Sequence, residues 1–252
     1  MNFGEKIYLY CERGQSPAFW AEPLNAVTNA AFIIAALMAA RDYVALPPER
    51  RTPAGALLIA LTFVIGIGSF LFHTYATRWA SLADTIPIAI FMLAYFAFVL
   101  RRFMGLNWIS VLLGLAVFYA AIRYAGGIQC SYGELLPITA RSGARCMNGT
   151  VGYAPAFLAL LGSALVLASH PAGRAIALAS VVFLVSMTFR TLDLELCELS
   201  RIGGHLFGSH FMWHTLNGVM LYILLRAAIR YGEPQPSAQS GRVRARSYGQ
   251  VP

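Results

Sequence analysis

Long apolar runs with few charges are the feature that most constrains the fold of this chain. A helix needs about 20 such residues to cross a hydrocarbon core of roughly 30 Å. The sequence is 58% hydrophobic and 12% charged, with a mean hydropathy of +0.61. Seven runs predict membrane-spanning helices near residues 24–45, 54–76, 82–102, 106–124, 152–170, 174–190 and 205–230. The sequence therefore predicts an all-α, polytopic membrane protein with a seven-helix bundle.

The chain is interpreted as one transmembrane domain, residues 1–231, followed by a tail, residues 232–252. The chain does not begin with basic residues followed by an apolar core, so we expect the first span to remain as an anchor. The tail is rich in Pro, Ser, Gly and Arg, which predicts a disordered segment that lies on anionic headgroups and does not bind nucleic acid. Eleven basic residues on the side of the tail against eight on the other favour an outside N-terminus and a cytoplasmic C-terminus. The Ala- and Arg-rich composition and the short loops favour a bacterial inner membrane.

Four cysteines, at positions 11, 130, 146 and 197, all fall on the predicted outer side. An oxidising compartment permits disulfides there. Cys130 and Cys146 bracket the longest loop and form the first expected bridge, which leaves Cys11 and Cys197 as the remaining pair. Unpaired cysteines that act as small apolar residues are the alternative.

Ionisable residues inside the predicted spans are few, and each is a candidate functional group because its burial in lipid is costly. Ser69 and His73 lie four residues apart on one face of the second span, and Asp84 follows on the same membrane side. His210 and His214, again four apart, begin the seventh span on that side. At about 1.5 Å per residue, His73 lies roughly 5 Å from its helix end, and His210 and His214 lie roughly 7 and 14 Å from theirs. These depths overlap, so we expect the groups to meet.

Three neutral imidazoles from two helices, beside a carboxylate, are the ligand set of a catalytic zinc with an open fourth position. A di-iron site needs more than the five histidines present, and also carboxylate bridges. The alternative is that each histidine is a hydrogen-bonded packing residue. That alternative suits the other two histidines better, because His205 is expected at the membrane interface and His170 at the opposite end of the bundle.

Polar residues also precede the first span. Oxygen ligands such as Glu12 and Glu22 suit a hard cation like Ca²⁺. Glu22 equally fits as a helix-start residue that is favoured by the helix dipole. Further along the chain, Arg190 and Asp193 lie three residues apart and are expected to pair in a structural role.

Several motifs together resemble those of the alkaline ceramidases, which belong to a superfamily of seven-span membrane hydrolases that includes the adiponectin-type receptors. The motifs are SFLFH at residues 69–73, Asp84, and HFMWH at residues 210–214 with its Trp213. AEPLNAVTN at residues 21–29 and the spacing of Asp193 and Cys197 are similar to two further family motifs. The resemblance extends from about residue 10 to 225.

The resemblance implies that His73, His210 and His214 hold zinc. It also implies that Asp84 handles the proton of the attacking water and that Ser69 stabilises the oxyanion. The implied activity is hydrolysis of ceramide or a related N-acyl lipid to a fatty acid and an amine, within sphingolipid metabolism. A seven-span receptor or lipid sensor with little turnover, or a proton-coupled transporter, is the alternative.

The resemblance further implies a calcium site at Glu22 and Glu12 and a disulfide between Cys11 and Cys197. The sequence departs from the family pattern at Thr85, where an acidic residue is common. It also departs at Arg13 and Gly14, where further oxygen ligands are expected, and this weakens the calcium expectation.

Overall fold

The described part of the protein, residues 2–130 and 146–232 of a computed structural model, is mostly helical. The helices are α1 Pro23–Thr28, α2 Ala30–Val44, α3 Pro53–Tyr75, α4 Arg78–Phe98, α5 Trp108–Gly127, α6 Ala154–Val166, α7 Pro171–Leu192 and α8 His210–Tyr231. A π-helical turn, Val99–Phe103, extends α4, and 3₁₀ turns cover Pro48–Arg50 and Cys146–Tyr153. The predicted tail lies outside the described residues from position 233 onward.

The helices form seven spans, since α1 and α2 together cross as one segment. Six of the spans in the described ranges have the length and composition of membrane helices. The seventh, α8, has 22 residues and a length of about 33 Å, but its two histidines and two arginines make it more polar. It packs against α2 and α7 and buries twelve of its residues. The predicted all-α, seven-helix membrane fold is confirmed.

A two-residue turn joins α3 to α4 and makes them antiparallel neighbours. Thr52 caps the start of α3 by accepting the backbone N–H of Gly55 at 3.2 Å. The helix ends at Tyr75, the next residue, Ala76, has a left-handed backbone (φ 47°), and α4 begins at Arg78. His73 in the last turn of α3 and Asp84 in the second turn of α4 therefore lie at the same end of the bundle, hereafter called the histidine end.

The backbones of α3 and α4 approach closely at Gly68. A Cβ at this position would lie 2.7 Å from the carbonyl carbon of Ala83 and still closer to its oxygen. Ordinary contact between carbon atoms is about 3.5–4.0 Å, so no residue with a side chain fits without movement of a helix. Ser69 follows Gly68 in α3, and Asp84 follows Ala83 in α4. The close approach therefore brings Ser69 and Asp84 to the interface between these two helices.

The N-terminal segment and the connection between α7 and α8 cover the histidine end. The backbone N–H of Ile7 donates to the carbonyl of Ala76 at 2.7 Å. The connection contains an antiparallel hairpin, β1 Arg201–Ile202 and β2 His205–Leu206. The predicted start of the seventh span at residue 205 is wrong, because these residues pair as strands and α8 begins at His210.

Both expected disulfides form. Cys11 and Cys197 join the N-terminal segment to the α7–α8 connection, with 5.5 Å between their Cα atoms. Cys130 and Cys146 join the end of α5 to the turn that leads into α6. Both bridges lie at the histidine end. This agrees with the prediction that the four cysteines share one side of the bundle.

The carboxylate of Asp193 holds the start of α8 in place. Its Oδ1 accepts the backbone N–H groups of Ser209 and His210 at 2.8 and 2.9 Å, and its Oδ2 accepts the N–H of Cys11 at 3.0 Å. Gly208 has a left-handed backbone (φ 64°), and a Cβ there would lie 2.7 Å from the Cβ of Cys11. Glycine at position 208 therefore lets the α7–α8 connection pass close to both the Asp193 carboxylate and the disulfide of Cys11.

Candidate metal centre

Three histidines converge at the histidine end of the bundle. His73 comes from the last turn of α3, and His210 and His214 come from the first two turns of α8. Each is about 1% exposed, and one ligand atom from each lies within 4.8 Å of the other two. The predicted depths are wrong for α8, because its later start puts His210 at the helix end and His214 about 6 Å along the helix. The three side chains meet nevertheless.

The ring of His73 is oriented by Glu22. Its Nδ1 lies 2.6 Å from Oε2 of Glu22, and the two side chains are almost completely buried. An Nδ1–H that donates to the carboxylate leaves Nε2 with a free lone pair, the arrangement found in carboxylate–histidine–metal groups. Burial raises the pKa of Glu22, but the neighbouring His73 and Arg13 outweigh it and hold that pKa below its usual value.

The ring of His214 is oriented by Thr28, which the sequence analysis did not identify. The Thr28 hydroxyl lies 3.1 Å from Nδ1 of His214 and donates its own proton to the carbonyl of Leu24 at 2.8 Å. The hydroxyl oxygen therefore accepts from Nδ1–H, and Nε2 of His214 is left as the ligand atom. A threonine between Asn25 and Asn29 in an apolar helix was the available signal for this partner.

The ring of His210 is held by stacking and by its backbone. It stacks on Tyr10 with a distance of 3.7 Å between ring centroids, and its N–H is capped by Asp193. Its Nδ1 is buried and has no hydrogen-bond partner within residues 2–130 and 146–232. Three buried imidazole rings, with one nitrogen of each ring within 4.8 Å of the other two, fit a bound metal ion.

Asp84 and Ser69 lie beside the three histidines. Both side chains are buried, and they are close enough to interact with each other across the α3–α4 interface. Oδ1 of Asp84 has no hydrogen-bond partner in the described ranges. Asp84 interacts with both Ser69 and His73, so the structure brings the five residues predicted for catalysis and zinc binding to the same end of the bundle.

Tyr10 and Arg190 also line this end of the bundle, although the sequence analysis gave Tyr10 no role. Arg190 donates to the hydroxyl of Tyr10 at 3.2 Å and lies over the rings of Tyr153 and Trp213. The expected pair of Arg190 with Asp193 is wrong, because backbone N–H groups occupy the Asp193 carboxylate. Burial raises the pKa of Tyr10, so this hydroxyl keeps its proton.

Glu12 and Glu22, the expected calcium ligands, are both engaged by protein donors. The two carboxylate oxygens of Glu12 accept the backbone N–H groups of Leu24 and Asn25 at 2.7 and 2.8 Å, which caps the start of α1. Glu22 accepts from Arg13, from Asn25 and from His73. A positively charged guanidinium already lies against Glu22, so this donor set does not fit a divalent cation shared by the two carboxylates.

The other two histidines lie away from the centre. His205 is exposed on β2. His170 accepts the backbone N–H of Ala172 at 3.1 Å and so caps α7 at the opposite end of the bundle. The position of His170 agrees with the sequence analysis, whereas His205 lies on the hairpin before α8 and not at the start of the span.

An apolar cavity of about 90 Å³ lies within the bundle and begins next to the histidines. Trp213 and Phe32 line the end of the cavity that is nearest to the histidines. Trp213 lies between the two histidines of α8 in the sequence, and the ring of Phe32 packs against His214. The lining continues to Leu224, eleven residues or about 16 Å further along α8. The lining of the cavity therefore includes residues that contact the rings of His210 and His214, while the histidines themselves do not line it.

Comparison with known protein families agrees with this arrangement. No curated protein matches the chain. A family model described as "Ceramidase" matches residues 9–248, which is nearly the whole chain and includes every element of the site. The chain therefore belongs to the ceramidase family.

Proposed function

We propose that this protein is a zinc-dependent intramembrane amidase that hydrolyses ceramide or a related N-acyl lipid to a free fatty acid and an amine. The observation that carries the proposal is the buried three-histidine group, with Asp84 and Ser69 beside it, at the head of an apolar cavity. Membership of the ceramidase family supports the choice of an N-acyl lipid.

The side chains have separate roles in this reaction. His73, His210 and His214 would hold the zinc ion, which would act as a Lewis acid and lower the pKa of water toward about 7. Asp84 takes the proton of the water that attacks the amide carbon, and it returns the proton to the nitrogen as the C–N bond breaks. Ser69 donates a hydrogen bond to the oxygen on which negative charge develops. One water is consumed, and a fatty acid and an amine are released.

The cavity supports a lipid substrate. Its lining is almost wholly aromatic and aliphatic, which suits an acyl chain and excludes a polar one. The cavity begins at Trp213, between two of the metal-binding histidines. An acyl chain in the cavity would therefore present its amide to Asp84 and the histidines.

The two disulfides support an orientation. Disulfides persist in oxidising compartments, and both bridges lie at the histidine end. We therefore assign this end, with the N-terminal segment, to the non-cytoplasmic side of a cell membrane. An amphiphile would reach the site from the outer leaflet.

Hydrolysis and metal content of purified protein test the proposal. Zinc-loaded protein is expected to release fatty acid from a labelled N-acyl sphingoid lipid. Asp84→Asn is expected to keep its zinc but to lose activity by about 10²- to 10⁴-fold, because it removes the proton acceptor alone. Elemental analysis and product analysis on the same sample measure both effects.

Thr85→Val is the matched control, because Thr85 is the exposed neighbour of Asp84 on the same helix. It is expected to keep both zinc and activity. Zinc-loaded protein that releases no fatty acid from a panel of N-acyl lipids would contradict the amidase and support a lipid sensor. A metal-free protein would support the transporter.

A further inference from the structure

Arg13 is a fully buried cation whose every donor is used. Its guanidinium has five N–H groups, its side chain is 0% exposed, and five oxygen atoms surround it. The acceptors are Oε1 of Glu22 and the backbone carbonyls of Ser16, Ala18, His73 and Thr74. Burial of an arginine side chain at the end of a helix bundle costs free energy unless its charge is paired and its donors are all hydrogen-bonded. Arg13 meets both conditions.

We propose that Arg13 is the resident cation of the N-terminal segment: its guanidinium takes the place of a divalent cation and positions His73 through Glu22, so that the metal centre does not depend on calcium.

The oxygen set around Arg13 supports this substitution. One carboxylate and four carbonyl oxygens are the kind of ligands that a hard cation such as Ca²⁺ prefers. Here a planar guanidinium occupies the middle of the set and satisfies every oxygen with an N–H donor. The sequence departs from the expected calcium-binding pattern at Arg13. In the structure, the guanidinium of this residue lies among the oxygen atoms.

The contacts of Arg13 connect three parts of the chain to the metal centre. Its Nη1 holds the loop through the carbonyls of Ser16 and Ala18, at 3.2 and 2.7 Å. Its Nη2 holds the end of α3 through the carbonyls of His73 and Thr74, at 2.8 and 3.1 Å. These are carbonyls of the last turn of α3, which lack partners within that helix and carry the negative end of its dipole.

Arg13 acts on the metal ligand through Glu22, and is therefore a positioning residue. Nε of Arg13 donates to one carboxylate oxygen of Glu22, and the other oxygen accepts from Nδ1 of His73. The guanidinium thus fixes the direction of the Glu22 carboxylate, which fixes the ring of His73. Loss of such an outer partner typically lowers metal affinity by about 10- to 100-fold.

Metal affinity and calcium binding test the inference, and neither requires hydrolysis. The metal affinity of full-length protein is measured with cobalt(II), by absorption and by competition with a chelator. Arg13→Gln is expected to lower it by about 10- to 100-fold. Arg13→Lys keeps the charge but supplies fewer donors, and is expected to lie between Arg13→Gln and the wild type. A failed hydrolysis assay would leave these readouts intact, so the two proposals fail separately.

Arg13→Asp gives the sharpest comparison. It adds a carboxylate to Glu22 and the four carbonyls, so this variant is expected to bind calcium, measured by equilibrium dialysis with radiolabelled Ca²⁺. Added Ca²⁺ is expected to restore its cobalt affinity. Wild-type protein is expected to bind no calcium at this segment and to keep its cobalt affinity when calcium is chelated.

Arg201→Gln is the matched control, because Arg201 forms an exposed pair with Glu198 at the same end of the bundle. It is expected to leave cobalt affinity unchanged. Stoichiometric calcium bound to the wild type would overturn the inference, even if no variant folds. Unchanged cobalt affinity in Arg13→Gln, or a folded Arg13→Asp that binds no calcium, would also overturn it.

Discussion

Replacing Gly68 by alanine would separate two helices at the point where the candidate catalytic residues meet. The new Cβ would lie 2.7 Å from the carbonyl carbon of Ala83. Ordinary carbon–carbon contact begins at about 3.5 Å, so α3 and α4 would have to move apart by at least about 0.8 Å. Asp84 is the next residue after Ala83, and it would move away from Ser69 and His73 by a similar distance.

A displacement of about 1 Å at reacting groups costs about 100-fold in rate, which is about 2.7 kcal/mol of transition-state stabilisation. We therefore expect Gly68→Ala to reduce fatty acid release from an N-acyl lipid by about that factor. Metal content should change little, because the three histidines come from α3 and α8 and not from α4. Steady-state hydrolysis and elemental analysis of the same purified sample measure the two quantities.

Gly162→Ala is the control for glycine replacement in a membrane helix. A Cβ at Gly162 in α6 would meet no atom within 4 Å, so no helix has to move. This variant should keep full activity. Unreduced hydrolysis in folded Gly68→Ala, or loss of metal together with activity, would refute the reasoning that the close approach at Gly68 sets the position of Asp84.

Three further results are expected. Thr28→Val should lower metal affinity by about 10- to 100-fold, measured by chelator competition, because Nδ1 of His214 loses its side-chain hydroxyl partner. Replacing Cys11 and Cys197 by serine should lower the midpoint of thermal inactivation and cost about 2–5 kcal/mol of stability. An unchanged midpoint would mean that the disulfide adds no stability to that provided by the other contacts of the N-terminal segment. A chain that ends at Gly232 should keep its hydrolysis rate, and a large loss would show that the tail does more than contact headgroups.

The spans and the convergence of the three histidines could be predicted because they depend on regular spacing. About 20 apolar residues define a span, and four-residue spacing puts His210 and His214 on one helix face wherever that helix begins. The actual start of α8 could not be predicted from hydropathy, because no charged residue separates the hairpin at residues 201–206 from the apolar run that follows it. The predicted depths of both histidines were wrong for that reason.

The groups that orient the ligands were harder to predict because they come from distant parts of the chain. Thr28 and Tyr10 contact the rings of His214 and His210 only because α1 and the N-terminal segment fold over α8. Arg13 was noticed as a departure from a motif, but its five acceptors include carbonyls 60 residues away. Backbone carbonyls carry no sequence signal, so their use by a side chain is visible in three dimensions alone.

The disulfide between Cys11 and Cys197 has a consequence for how the protein is made. It joins residues 186 positions apart, and the last two candidate metal ligands, His210 and His214, follow its second cysteine by 13 and 17 residues. A ribosome must therefore deliver six spans to the membrane before either the bridge or the ligand set can be completed. A nascent chain that stops before α8 would have six spans yet carry one histidine of three, so the candidate metal centre is necessarily completed among the last steps of biogenesis.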